Sequence, residues 1–279
     1  MADVFGNRSL AEVRAYWDQR PCNIRHSPSP RGTKQYFDEV EQRKYFVEPH
    51  IPVFADFPAW AGKRVLEVGC GIGTDTMNFA RAGAEVTAVD LSTESLAVAR
   101  QRAEVFGLES RIRFVEANAE NLADSVSVEP YDLVYSFGVL HHTPDPPAAL
   151  RSIRAFVGPN STFKLMMYHR RSWKVFWLLC TEGHLRFWDL DRIIAQSSEA
   201  QTGCPVTYSY SRRSLAALLS ETGFEARQIF VDHIFPYRIP EYLKYEYKRV
   251  WYFDALPEPV FRFLERKAGW HLCATAVSR

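Results

Sequence analysis

Short runs of consecutive apolar residues alternate along this chain with segments whose apolar positions recur every three or four residues. Residues 64–68 (RVLEV) read as a buried strand that feeds a glycine-rich turn, GCGIG. The spacing predicts a helix from Thr74 to Arg81, capped near Gly83, and a second strand at 85–89 (EVTAV). Ser92 or Thr93 then opens a helix with Leu96, Ala99, Ala103 and Phe106 on one face, and Gly107 stands where a left-handed cap belongs. Strands follow at 112–116 (IRFVE) and 132–136 (DLVYS). Leu150, Ile153 and Val157 mark a helix predicted to stop at Gly158, ahead of a fifth strand at 162–168 (TFKLMMY). A further helix runs from about Ser211 through Leu215, Leu218 and Leu219 to Gly223, with strands expected at 226–231 and 270–276. Strands and helices alternating at this spacing imply an α/β fold with a parallel sheet and helices on both faces.

Three stretches stand outside that alternation. Residues 1–60 precede it and read as short helices and loops, an N-terminal lid on a domain that occupies 61–279. Residues 172–205 and 233–268 interrupt it and read as cap insertions. The caps hold Trp173, Trp177, Trp188, Tyr242, Tyr245 and Trp251, rigid apolar surfaces suited to a partly apolar ligand. Tyr242/Tyr245 and Tyr247/Trp251 have helical spacing, for which packing is the default reading. Lys244, Lys248 and Arg249 alternate with them, as in an amphipathic helix roofing a cavity.

Composition narrows the function. The 279 residues carry 34 Lys+Arg against 33 Asp+Glu, a net charge of +1, which argues against nucleic-acid binding through a basic surface. The five cysteines are scattered without a CxxC, as expected of free thiols in a reducing compartment. The charged N-terminus has no apolar signal core, and no apolar run approaches the ~20 residues of a membrane span. A cytoplasmic location is expected.

The chemistry concentrates around the glycine turn. Beyond the C-terminal ends of parallel strands lies the usual ligand crevice, and the loop Glu67, Val68, Gly69, Cys70, Gly71, Ile72, Gly73 falls there. A dinucleotide fingerprint would need a glycine at position 74, which is Thr74. Glu67 and Asp75 would repel a pyrophosphate, which disfavours a nicotinamide-dependent oxidoreductase. The same acids suit a ligand with a cationic centre and a free amino group, and S-adenosylmethionine has both. Asp90, one helix and one strand later, can accept both ribose hydroxyls, the reading the loop upstream favours over a plain helix cap.

With these residues in place, the run from Arg64 to Tyr168 resembles the class I S-adenosylmethionine-dependent methyltransferases, in the small-molecule branch of the ubiquinone/menaquinone-biosynthesis type. The matching pieces are VLEVGCGIGTDT, VTAVDLS, FVEANAENL and YDLVYSFGVLHHTPDP, in that order. The resemblance implies a Rossmann-like, seven-stranded, mostly parallel sheet. It implies that Glu67, Gly69 and Gly71 line the methionine and ribose side, with Cys70 and Gly73 in the same loop. Asp90 would hold the ribose, Leu91 would lie against the adenine, and Asn118, Ala119 and Glu120 would meet the adenine edge. Ser136 and Phe137 would flank the methionine arm. Family members often carry Asp where this chain has Asn118.

Methyl transfer needs alignment, and a base when the nucleophile is a neutral hydroxyl or ammonium. The candidates are His142, His141 and Tyr168, past the fourth and fifth strands. No metal is expected, since adjacent histidines lack partner ligands at metal spacing. Candidate substrate contacts are Tyr16, Arg25, Arg170, Tyr242, Tyr245 and Trp251, with Tyr36, Arg43 and Tyr45 as further N-terminal residues that could meet the cofactor carboxylate or substrate. The expected reaction is methylation of a small or medium organic acceptor, on oxygen before nitrogen, with S-adenosylhomocysteine as product. The alternatives are a non-catalytic S-adenosylmethionine-binding protein and a methyltransferase acting on a peptide or nucleic acid. If residues 1–50 close over the cofactor, S-adenosylhomocysteine should protect them from limited proteolysis, and identical digestion with and without it would argue against closure.

Overall fold

A computed structural model describes residues 8–182, 190–201 and 204–279, with the backbone alone at 198–201; Trp188 lies outside the described residues. The N-terminal part forms α1 (Leu10–Gln19), α2 (Lys34–Val47) and α3 (His50–Ala55). Ser9 and Glu12 build a reciprocal capping box at the start of α1, and the Thr33 hydroxyl caps α2. Lys164 Nζ donates to the carbonyls of Phe54 and Ala55, which seats the end of α3 on the sheet.

The sheet contains β1 (Arg64–Val68), β2 (Glu85–Asp90), β3 (Ile112–Glu116), β4 (Tyr131–Phe137), β5 (Val157–His169), β6 (Ser209–Tyr210), β7 (Phe224–Asp232) and β8 (His271–Ser278). Its order is β3-β2-β1-β4-β5-β8-β7, with β6 paired to β5. All pairings are parallel except those of β8, which runs against both β5 and β7. The expected Rossmann-like sheet is present with eight strands rather than seven. The extra strand is a two-residue pairing of Ser209 and Tyr210 with Tyr168 and His169, too short to leave a periodic signal.

Successive residues of each strand feed opposite layers. Val65 packs with Phe79 and Leu96 on one face, and Leu66 packs with Leu150 and Leu218 on the other. Between strands run α4 (Thr74–Arg81), α5 (Thr93–Phe106), α6 (Pro146–Arg154) and, after α7 (Trp173–Thr181) and α8 (Leu190–Gln201), α9 (Arg212–Glu221). Gly107 takes the left-handed cap of α5, at φ 65°, as its position predicts. Helix α6 ends at Arg154, before the predicted Gly158. Val157 already pairs with Tyr131 in the β4–β5 ladder, and Arg154 turns back to the carbonyls of Gly223 and Val157. The spacing of Leu150, Ile153 and Val157 fits a helix, but ladder hydrogen bonds claim the last of the three.

The predicted amphipathic helix through Tyr242, Tyr245, Tyr247 and Trp251 does not form. The segment breaks into α10 (Ile239–Tyr242) and α11 (Trp251–Asp254), joined through an isolated bridge between Tyr237 and Arg249, and followed by α12 (Glu258–Ala268). Tyr245 adopts a left-handed φ of 64°, and Glu246 N–H closes back on the Glu241 carbonyl, a helix-terminating arrangement. Phe253, Phe261 and Ile234 form a satellite core on which Trp173 of α7 packs, so the two cap segments share one apolar cluster.

Arg102 of α5 is wholly buried and joins three helices. It donates to Thr74 Oγ1 at 2.7 Å, to the Phe37 carbonyl at 3.2 Å and to Glu41 at 2.9 Å. Arg102→Met should lower stability by about 2–4 kcal/mol in chemical denaturation, because two acceptors lose their donor while Glu41 keeps Arg81. A loss under about 0.5 kcal/mol would mean the junction is not held by this side chain.

Candidate functional site

The glycine loop crosses from β1 to α4 at the C-terminal edge of the sheet, beside the point where strand order reverses between β1 and β4. Gly69, Gly71 and Gly73 have φ of 81°, 53° and 75°, all left-handed. A Cβ on Gly69 would stand 2.3 Å from the Val139 side chain, so the loop after β4 can close on this turn only because the position is bare. A Cβ on Gly71 would meet nothing within 4 Å, which marks open space on the ligand side. Gly71 N–H and Ser92 N–H each donate to one oxygen of Asp90 at 2.8 Å. Those bonds aim the carboxylate across the end of β2, and each oxygen retains a second lone pair for a ribose hydroxyl. Leu91 follows, half-buried. Asn118 caps the turn at Ala119–Asp124 by accepting from Glu120 N–H, while Glu120 accepts from Thr143 and from Asp145 N–H. Glu120 therefore braces the loop after β4. Cys70 is buried, and burial first, then Asp90 and Glu67, hold its thiol well above the ordinary range, so it packs rather than reacts.

The two acids of the loop turn out to differ. Asp75, expected to face a cationic ligand, is already satisfied: Lys44 lies 2.6 Å and the Tyr45 hydroxyl 2.9 Å from Oδ1, and the Tyr135 hydroxyl lies 3.1 Å from Oδ2. Burial pushes the Lys44 ammonium down, and Asp75, Glu48 and Glu67 raise it beyond its usual value. Burial and then Asp75 hold both phenols well above their ordinary range, so they remain donors. Glu67 accepts from Thr76 Oγ1, and burial followed by the charge of Asp75 pushes its carboxyl up to about 8. Glu67 is the group in the loop that an incoming cation would relieve.

The candidate base residues cluster at the ends of β4 and β5. Ser136 is buried and donates to the Val68 carbonyl, stitching β4 to β1, so its hydroxyl serves the sheet. Phe137 faces Tyr135, His50 and His271. His141 is fully buried against the Tyr168 ring, with centroids 3.9 Å apart, and burial followed by His142 pushes it well below the usual histidine range. Neutral and enclosed, it is a packing residue. His142 places Nδ1 2.9 Å from the Val206 carbonyl, which makes Nε2 the basic nitrogen. Trp17 of α1 meets its ring edge-on at 5.4 Å. Tyr168 is stacked between His141 and Trp270.

Helix α1 crosses this edge. Ser92 donates to Asp18 at 2.7 Å and Arg14 pairs with Glu116, which brings the N-terminal segment over the Asp90 loop. Tyr16 lies next to Trp17 and under Arg20. The remaining substrate candidates scatter. The Arg25 side chain is exposed, and its carbonyl accepts from the Tyr245 hydroxyl. Arg170 pairs with Asp191 of α8. Tyr36 is buried and donates to the Ile24 carbonyl. Tyr242 and Tyr245 sandwich the buried Arg43 guanidinium at 4.0 and 4.3 Å, and Arg43 donates to the Tyr242 carbonyl. They clamp the N-terminal segment to the second cap. Trp251 is 80% exposed at the start of α11.

Sequence reasoning missed a second group of residues: Glu48, His50, His233 and His271. They come from three separate stretches of the chain and follow no ligand spacing, so no local pattern signalled them. A cavity of about 660 Å³ between α3, α12 and the β5-β8-β7 face reaches this group at His50. Among the described residues, no helix is long and apolar enough to cross a membrane.

A methyltransferase-domain family matches residues 40–229. The chain is 41% identical to the ubiquinone biosynthesis O-methyltransferase of Aeromonas salmonicida (strain A449) over 99 residues, 36% of this chain and 40% of that protein. It is 32% identical to the enzyme of the same name from Xanthomonas campestris pv. campestris (strain B100) over 165 residues, 52% of this chain and 67% of that protein. The match thus spans between two-fifths and two-thirds of those relatives' length. The magnesium protoporphyrin IX methyltransferase of Synechocystis PCC 6803, solved with bound SAH, has a TM-score of 0.61 at 17% identity, covering 97% of this chain and 100% of that one. The [4+2]-cyclase SpnF has a TM-score of 0.59 at 19% identity, covering 95% and 94%. At such identities the likeness is one of fold. Fold and site together define the class I, S-adenosylmethionine-using type. The chain belongs to the methyltransferase-domain family.

Glu67 gives the site a pH signature. Above the ordinary carboxylate value the unfolded chain ionises this residue, while the folded, ligand-free protein holds its proton up to about 8. Its burial therefore destabilises the ligand-free protein progressively as pH rises from about 4.5 to about 8. Glu67→Gln should raise the ligand-free Tm at pH 8 and leave it nearly unchanged at pH 4.5. The same change should weaken S-adenosylmethionine binding and abolish the proton release that accompanies it, measured by calorimetry in two buffers. Equal Tm shifts at both pH values would contradict the perturbed carboxyl.

Proposed function

We propose that this protein transfers the methyl group of S-adenosylmethionine to a hydroxyl oxygen of a small, partly apolar organic acceptor. The observation that carries the reading is the joint placement of a bare glycine turn, the aimed Asp90 carboxylate and the strained Glu67 carboxyl at one end of the sheet. In this arrangement Asp90 orients the ribose, Leu91 and Asn118 border the adenine, and Glu67 neutralises the amino end. When bound, the cofactor supplies an electrophilic methyl on a good leaving group, so the protein's task is alignment and removal of one proton. His142 Nε2 is the group assigned to that proton, since its Nδ1 is committed to Val206. Oxygen is favoured over nitrogen by the O-methyltransferase relatives. Residues 1–60 act as a lid: α1 rests on Asp90's neighbour Ser92 and on His142, where it excludes water from both.

Asp90→Ala should weaken S-adenosylhomocysteine binding at least tenfold in calorimetry, since each charge-assisted hydrogen bond is worth about 1.5–3 kcal/mol. His142→Ala should leave that affinity intact and lower kcat for S-adenosylhomocysteine formation with any hydroxyl acceptor the wild type turns over, about 10²-fold or more. Unchanged affinity in a folded Asp90→Ala protein would remove the cofactor assignment. Unchanged kcat in His142→Ala would remove the base. Binding without turnover on any acceptor would favour a non-catalytic S-adenosylmethionine-binding protein.

A further inference from the structure

We propose that Glu48, His233 and His271 form a binding site for one divalent transition-metal ion of the zinc class, with His50 as the outer partner that orients His271. One ligand atom from each of the three residues lies within 4.8 Å of the others. His271 Nε2 and Glu48 Oε1 are 3.5 Å apart. That is long for a charge-assisted N–H···O bond, which runs to about 2.7–2.9 Å. It is close to the edge of a tetrahedron drawn at zinc–ligand distances, about 3.4 Å.

The ring packing points the same way. The rings of His233 and His271 are buried with centroids 4.6 Å apart, and the His50 ring lies 5.5 and 5.0 Å from them. His50 Nε2 lies 2.9 Å from His271 Nδ1. A hydrogen on Nδ1, donated to His50, turns the Nε2 lone pair toward the Glu48 carboxylate, with room for a cation between them. A ligating histidine whose other nitrogen donates to a fixed partner is the usual outer arrangement of metal sites.

The backbone holds these side chains in place from both sides. Glu48 caps the end of α2 and His50 opens α3, two residues apart. His233 and His271 flank the second cap, where β7 and β8 pair Asp232 with His271. His233 sits at a left-handed φ of 68°, fixed by its own N–H to Asp232 and by Trp270 N–H to its carbonyl. Gly269 allows that closure, because a Cβ there would stand 2.1 Å from the Asp232 carbonyl oxygen. An ion bound here joins the N-terminal helices to the base of the cap. The cavity that His50 lines provides the access route. Three protein donors leave a fourth position for water or another oxygen ligand. None of this depends on the methyl acceptor, so the site stands or falls apart from the proposed reaction.

The test uses tag-free, full-length protein stripped with a chelator. Zinc sulfate is titrated against a chromophoric chelator, and cobalt(II) chloride is followed by its visible absorption. Wild type should bind one equivalent of either ion. His233→Ala and His271→Ala should each lose at least 100-fold in zinc affinity and the cobalt band. His50→Ala should lose about tenfold, the outer-partner effect. S-adenosylhomocysteine affinity, expected to stay at the wild-type value, reports that each variant is folded. Should an alanine variant lose it, Glu48→Gln carries the comparison, with weaker zinc binding expected. Substoichiometric binding by the wild type, or wild-type zinc affinity in folded ligand variants, would overturn the proposal and leave the cluster a hydrogen-bonded chain from Glu48 to His50.

Discussion

A single buried carboxylate, Asp75, sets the arrangement of everything around the site. It stands at the first turn of α4, 3% exposed, and its charge must be met inside the protein. The partners come from two other elements: Lys44 and Tyr45 from α2, and Tyr135 from β4. The N-terminal segment is thereby locked to the glycine-loop helix and to the centre of the sheet. Removing any one donor would leave the others to carry a charge that water cannot reach.

That lock has an electrostatic consequence one residue layer away. With Lys44 committed to Asp75, Glu67 sees a negative neighbour and little solvent, and retains its proton up to about 8. A cationic group placed beside Glu67 would favour its ionised form. Arg102 and Arg43 repeat the device further out, each a buried guanidinium tying the N-terminal helices to something beyond them. The segment ahead of the sheet is consequently part of the site's construction. The same sheet in a [4+2]-cyclase illustrates why such local chemistry, and not the fold, must carry a functional argument.

Much of the architecture was legible in the chain. The strand–glycine–helix order, the Gly107 cap, Asp90 and the parallel sheet follow from spacing, because neighbouring residues alone decide periodicity and turn conformation. Where a long-range contact competes with local pattern, the reading fails. Val157 fits a helical stripe and is taken by the β4–β5 ladder. Tyr242 to Trp251 fits a helix and is broken at Tyr245, whose ring packs on Arg43 and whose hydroxyl reaches Arg25, both distant in sequence.

The same division governs the functional residues. The sequence by itself determined the glycine turn and the placement of Asp90, since both are encoded within a few residues of the strands that carry them. It also singled out His142 and Tyr168, which the structure places together at the ends of β4 and β5. Only the tertiary structure decided that Asp75 is consumed internally, that His141 is packed on Tyr168 while His142 is hydrogen-bonded to Val206, that Arg170 pairs with Asp191 and that Trp251 is exposed. It alone brought Glu48, His50, His233 and His271 together. The physical reason is common to all of these: burial and charge pairing are properties of neighbours in space, and those neighbours are set by chain crossings that no local pattern records.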